Sequence, residues 1–127
     1  MLLDTQSVLW LLQGSDRLGP VAHTAIAAAP AGHVSTASLW EIAIKRRLGK
    51  LETPDDLPDL IERSGLQWLP VTARHTWATQ DVELPHRDPF DRMLVAQATI
   101  DRLTLVTADR VILGAELPGV SVLDARF

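Results

Sequence analysis

The sequence predicts an α/β protein whose central sheet is parallel and covered by helices on both faces. Three observations carry this: short β-prone runs alternate with helical stretches along all 127 residues, several of those runs are apolar without interruption, and 46% of the residues are hydrophobic. A strand with one face in water alternates apolar and polar residues, whereas a strand buried on both faces does not. The length suits one hydrophobic core and is too short for two cores with a linker, so a single domain over 1–127 is expected.

The elements follow from local chemistry. Residues 1–4 form an apolar run closed by Asp4, and residues 7–12 (SVLWLL) continue as helix up to Gly14. Pro20 opens a helix over 20–29, since its missing N–H is not needed in a first turn, and Pro30 closes it. Residues 33–36 (HVST) read as a second strand, and 38–48 as a helix that places Leu39, Ile42 and Ala43 on one face before Gly49. A helix over 55–64, a strand over 66–71 and a short helix over 72–80 come next. The longest helix, 89–102, leads at once into a β-branched strand, 103–107 (LTLVT), and the last strand is 120–123.

Composition narrows the function classes. The chain has no cysteine, which removes disulfides, thiolate-bound zinc, iron–sulfur clusters and thiol nucleophiles, so any metal must be held by oxygen or imidazole. Sixteen acidic residues against twelve basic ones give a net charge of −4, against a nucleic-acid binder that relies on bulk positive charge. No apolar run reaches the roughly 20 residues that span a bilayer, and the N-terminus carries no basic segment with a small-residue cleavage site. Cytoplasmic residence without membrane association is the expectation.

In open α/β sheets ligands bind beyond the carboxyl ends of the strands. The residues expected there are acids: Asp4 closes the first strand, Glu41 lies in the first turn of the helix after the second, Asp91 begins the long helix, and Asp109 follows Leu105-Val106-Thr107. Each has an ordinary structural explanation. Ser38-Leu39-Trp40-Glu41 and Asp88-Pro89-Phe90-Asp91 have the layout of capping boxes, and Asp4 and Asp109 can cap the helices they precede. Taken together they ask for more, because carboxylates at about 4 Å repel by roughly 4 kcal/mol per pair at an effective dielectric of 20. A divalent cation offsets that repulsion. An all-oxygen donor set suits Mg²⁺ or Mn²⁺, ions that lower the pKa of a bound water and neutralise charge during phosphodiester hydrolysis.

LLDTQSVLWLL, VSTASLWEIAIKRRLGKL, LPHRDPFDRMLVAQA and LTLVTADR, in that order, resemble the PIN domain of VapC-type toxins from bacterial type II toxin–antitoxin modules. The likeness covers essentially the whole chain. It implies a PIN-like three-layer α/β/α fold with a mostly parallel sheet of about five strands. It further implies a Mg²⁺- or Mn²⁺-dependent endoribonuclease, using one or two ions, that leaves a 5′-phosphate and a 3′-hydroxyl. RNA, tRNA included, is the implied substrate. A cognate VapB-like antitoxin that occupies the active-site groove and a homodimeric assembly are the implied partners. The family's catalytic and metal-binding acids fall on Asp4, Glu41, Asp91 and Asp109; Gln6 departs from the His or Asn common in related sequences.

Several neighbours are candidates for substrate binding. Arg87, Arg92 and Arg110 adjoin the rim acids and could hold a phosphate backbone, and the hydroxyls of Thr5 and Thr107 could orient a carboxylate or a bound water. Asp88 is expected to be a cap with Asp91 facing the rim. Lys45, Arg46, Arg47 and Lys50 complement a helix C-terminus, His86 reads as a surface residue able to contact RNA, and the four tryptophans read mainly as core. Competing enzyme classes fail on inspection: a receiver domain needs a late lysine, while the only lysines are Lys45 and Lys50, and Asp4-Thr5-Gln6 is not the D-x-D of an aspartate-nucleophile phosphatase. P-loop and serine-hydrolase motifs are absent. The remaining alternative is a catalytically inactive PIN-like module that binds RNA or protein.

Overall fold

The computed structural model describes residues 1–127. In chain order the elements are β1 (Leu2–Leu3), α1 (Thr5–Gln13), α2 (Pro20–Ala28), β2 (His33–Ser35), α3 (Thr36–Arg47), α4 (Leu57–Arg63), β3 (Gln67–Leu69), α5 (Ala73–Ala78), α6 (Pro89–Ile100), β4 (Leu105–Thr107), α7 (Arg110–Gly114) and β5 (Val122–Asp124). All four strand pairings are parallel, and the sheet order is β3-β2-β1-β4-β5. The five-stranded parallel sheet of the α/β expectation is therefore present.

Neighbouring residues of a strand point to opposite faces, and that alternation divides the core in two. Leu3, Val34 and Val106 join a cluster with Val8, Ile42 and Ile61, from the side carrying α1, α3 and α4. Leu2 and Leu105 join Leu94, Val95, Ala98 and Ile112, from the side carrying α6 and α7. Three layers result. Chain order reverses between β1 and β4, so the crevice for a ligand opens beyond the carboxyl ends of these two central strands.

Three local expectations change. Helix α3 starts at Thr36, two residues earlier than expected, because Ser35 is its cap: the Ser35 hydroxyl accepts from Ala37 N–H at 3.0 Å. Ser38 is consequently inside the helix, its hydroxyl buried without a hydrogen-bond partner, so no capping box involves Glu41. Strand β1 is two residues long, and Asp4 already serves as the cap of α1. Among the tryptophans only Trp10 is core; Trp77 is exposed, and Trp40, at 64% exposure, meets Phe90 edge to face at 5.3 Å. Trp68 is half-buried and donates from Nε1 to Glu62 at 2.8 Å.

The chain end closes the assembly by a backbone-to-backbone approach. Gly19 N–H donates to the Ala125 carbonyl at 2.8 Å, and Val21 N–H donates to that of Phe127. A Cβ at Gly19 would stand 2.2 Å from the Phe127 carbonyl carbon and 2.3 Å from the Arg126 carbonyl oxygen, both backbone atoms that no rotamer change can move. Gly19→Ala is expected to destabilise the fold by about 2 kcal/mol, as overpacking does, and to lower the melting temperature by several degrees. Thermal denaturation checks this; a variant melting with the wild type would show the C-terminal approach to be unimportant.

Candidate metal centre

The crevice between β1 and β4 is a cavity of about 530 Å³, and its walls include Asp4, Glu41, Asp91 and Asp109 together with Asp88. All four predicted acids therefore line one cavity, Asp4, Asp91 and Asp109 from helix starts at the sheet rim and Glu41 from farther along α3. Asp4, the cap of α1, accepts from Ser7 N–H at 2.8 Å and from the Thr107 hydroxyl at 2.6 Å. Asp109, the cap of α7, accepts from Val111 and Ile112 N–H at 2.9 and 3.0 Å through a single oxygen, Oδ1. Asp88 caps α6 by accepting from Phe90 and Asp91 N–H, which leaves Asp91 to face the cavity. Glu41 comes from the middle of α3, where Thr5 Oγ1 donates to it at 2.6 Å and Lys45 Nζ pairs with it at 2.9 Å.

Crowding registers in the titration of two acids. Burial raises the pKa of Asp4, and the nearby Asp109 charge adds to the rise while hydrogen bonds from Ser7 and Thr107 oppose it. Asp91 is pushed up to about 7, first by burial, then by the charges of Asp88 and Asp109, with His86 acting in the opposite sense. Its carboxylate accepts no hydrogen bond within the chain, and the nearest cationic or donor group is His86 Nε2 at 3.2 Å. Oxygen donors of this kind, partly oriented by hydroxyl and amide donors yet electrically uncompensated, fit a hard divalent cation.

The substrate-side expectations are redistributed. Arg92 is a correction: its guanidinium donates to the carbonyls of Val82, Leu84 and His86, so it clamps the 82–86 loop and does not reach the cavity. Thr5 and Thr107 hold carboxylates, Thr107 also accepting from Asp109 N–H at 3.0 Å, which occupies both hydroxyls. Arg110 acts electrostatically on Asp124 of β5, and Arg87 stays exposed; neither lines the cavity. The cations that do line it are Lys45 and Lys50. For Lys45 the signal is present in the sequence, since a lysine four residues after a glutamate on one helix meets it.

His86 is the other residue whose direction the sequence conceals. Its Nε2 lies 3.2 Å from Asp91 Oδ2 and 3.9 Å from Asp109 Oδ1, and ligand atoms of the three residues fall within 4.8 Å of one another. It is not a freely exposed surface group, and its ring is turned inward.

Comparison with known proteins agrees with this architecture. The PIN domain family model matches residues 1–115. No curated protein matches the sequence. Among solved structures, a toxin–antitoxin complex from Klebsiella pneumoniae superposes with a TM-score of 0.67 at 19% identity, covering 98% of this chain and 96% of that one. A DNA-bound VapBC from Salmonella typhimurium gives 0.70 at 20% identity, covering 97% and 96%. VapBC2 from Rickettsia felis, bound to a DNA fragment from its promoter, gives 0.67 at 15% identity, covering 96% of each chain. At these identities the likeness is one of fold.

The Asp91 shift has a sign that can be measured. Because its pKa is about 7 in the folded chain and 3.8 ordinarily, the folded protein keeps a proton that the unfolded chain has lost. The associated stability is complete below about pH 4 and disappears as pH rises through 7. In chelator, Asp91→Asn should melt above the wild type by several degrees at pH 8, consistent with relief on the order of a few kcal/mol, and the gap should close toward pH 4. Added Mg²⁺ should narrow the gap at pH 8, since only the wild type gains fully from the ion. A variant no more stable than wild type at pH 8 would show that the Asp91 charge carries no penalty at this rim.

Proposed function

The chain belongs to the PIN domain family, and from that membership and the geometry of the crevice we propose that it is a Mg²⁺- or Mn²⁺-dependent endoribonuclease, the toxin half of a type II toxin–antitoxin pair. The observation that carries this reading is the convergence of Asp4, Glu41, Asp91 and Asp109, from four distant segments, on one cavity at the reversal point of a parallel sheet.

A divalent cation bound among these acids supplies an activated water and neutralises charge developing on the phosphodiester. Asp91 and Asp109 would hold it, with Asp4 beside them. The residues of the chain do the rest. Thr107 fixes the Asp4 carboxylate and the entry to α7 through one hydroxyl, so the two central strands present their acids in a set relation. Glu41, held by Thr5 and Lys45, lines the same cavity and would take up the proton of an attacking water. Lys50, without an ion-pair partner, and Lys45 line the cavity and would receive the phosphates flanking the scissile bond. The net charge of −4 is thus compatible with a polyanionic substrate, because the acids are concentrated where the cation sits.

A protein partner and self-association belong to the same reading. The solved complexes with this fold include toxin–antitoxin and VapBC complexes. On this chain Trp40, Ile44 and Leu48 recur every fourth residue of α3 and its C-terminal cap, exposing 64%, 37% and 61% of their surface beside the cavity's own helix. Exposed aromatic and aliphatic side chains in such a row suit the docking of an antitoxin helix or a second copy.

Purified protein is expected to cleave RNA only with Mg²⁺ or Mn²⁺, and excess chelator to abolish cleavage reversibly. Asp109→Asn should remove both cleavage and the growth arrest caused by expression without a partner, in a protein that stays folded because Asn caps a helix about as well as Asp. Cleavage undiminished in chelator would overturn the metal mechanism; growth arrest by the folded, cleavage-dead variant would favour the binding-module alternative. Lys50→Ala is expected to weaken RNA binding and to reduce the slope of log affinity against log salt by about one unit, the amount due to one phosphate that the lysine neutralises. An unchanged slope would place the backbone-binding cations elsewhere.

A further inference from the structure

His86 carries an inference that deepens this reading and rests on the cation site within it. The ring sits in the 82–86 loop, whose carbonyls at Val82, Leu84 and His86 converge on the guanidinium of Arg92, one residue after Asp91 on α6. Nδ1 of His86 accepts from Asp88 N–H at 3.3 Å. A ring nitrogen that accepts from an amide has no proton of its own, so the proton of the neutral imidazole is on Nε2. Protonation of the ring would leave Nε2 a donor as well. Nε2 is therefore a hydrogen-bond donor and not a lone pair offered to a metal.

That donor is buried, 3.2 Å from Asp91 Oδ2 and 3.9 Å from Asp109 Oδ1, yet it makes no hydrogen bond within the chain. His86 is also not among the residues lining the cavity, and its ring reaches the two acids from the 82–86 loop. We propose that His86 is a positioning residue for the cation site: its Nε2–H, held in one tautomer by the Asp88 amide and in one place by the Arg92 clamp, donates to the Asp91 carboxylate and aims it at the ion. Ligating carboxylates are commonly hydrogen-bonded in turn by such partners, whose removal weakens metal affinity about 10- to 100-fold. The carboxylate otherwise accepts nothing from the chain, so this donor has no substitute.

Binding of Mn²⁺ to the full chain, followed by titration calorimetry and by electron paramagnetic resonance without RNA, tests the proposal. His86→Ala should weaken Mn²⁺ binding at least tenfold, with circular dichroism unchanged. His86→Gln, whose amide can place an N–H near the position of Nε2, should recover most of the affinity, which mere filling of the loop would not explain. The bound Mn²⁺ of the wild type should show no hyperfine coupling from a directly bound imidazole nitrogen. Equal affinity in His86→Ala, failure of His86→Gln to recover, or a directly coordinated nitrogen would each overturn the positioning role while leaving the cation site standing. A wild-type chain that binds no Mn²⁺ would overturn the cation site itself, and the role of His86 with it.

Discussion

Like charges gathered at one rim of a parallel sheet are the constraint on which the rest of this structure depends. Parallel topology delivers every strand end to the same edge, and the helices that follow begin there with their N–H groups pointing outward. Acids at those starts are capped backbone partners first: Asp4 receives Ser7 N–H, and Asp109 receives two amides. Capping and cation binding are not rival roles here. Asp109 satisfies its amides through one oxygen, which leaves Oδ2 for the cavity. Asp91 is different, because Asp88 takes the capping work at the start of α6 and Asp91 is left with charge and no donor. Burial, with the charges of Asp88 and Asp109 added, pushes its pKa up to about 7, and no hydrogen bond opposes the rise.

Around this rim the chain places neutral or remotely anchored donors. Thr5 and Thr107 are hydroxyls, able to orient Glu41 and Asp4 without adding charge. Arg92 holds its positive charge against three carbonyls of the 82–86 loop, away from the acids it follows in sequence. Lys45 is the one lysine or arginine paired with a rim acid, meeting Glu41 at 2.9 Å. Full neutralisation by protein cations would relieve the repulsion among the acids, and it would also fill the cavity. The incomplete compensation is what the proposed divalent ion would offset.

Much of the fold is legible in the sequence because local signals agree. Pro20, Pro89, Gly14 and the caps Asp4, Asp88 and Asp109 mark element ends that the structure keeps. The start of α3 is ambiguous because Ser35 and Ser38 are both good caps spaced three residues apart, and the backbone hydrogen bond of Ala37 decides between them. Hydrophobicity alone would put Trp40 and Trp77 inside, but it is silent about which helix faces are left uncovered. The convergence of the four acids is foreseeable from strand ends and from the family likeness; the direction of the basic residues is not. Arg87, Arg92 and Arg110 all adjoin acids in sequence, yet none lines the cavity, while Lys45 and Lys50, farther from those acids along the chain, do.

The sequence by itself determined the fold class, the order of the elements and the four carboxylates, because uninterrupted apolar runs, caps and strand-terminal acids are local chemistry that each segment expresses alone. It also determined the PIN family. Tertiary structure alone decided which long side chains serve the rim. Arginine, lysine and histidine have several rotatable bonds and reach whichever partner the packed neighbours present, so the loop carbonyls claimed Arg92 and the Asp88 amide turned His86 inward. The raised pKa of Asp91 likewise belongs to the assembled rim, since burial and the charges of Asp88 and Asp109 act on it only when α6 and α7 are packed on the same sheet.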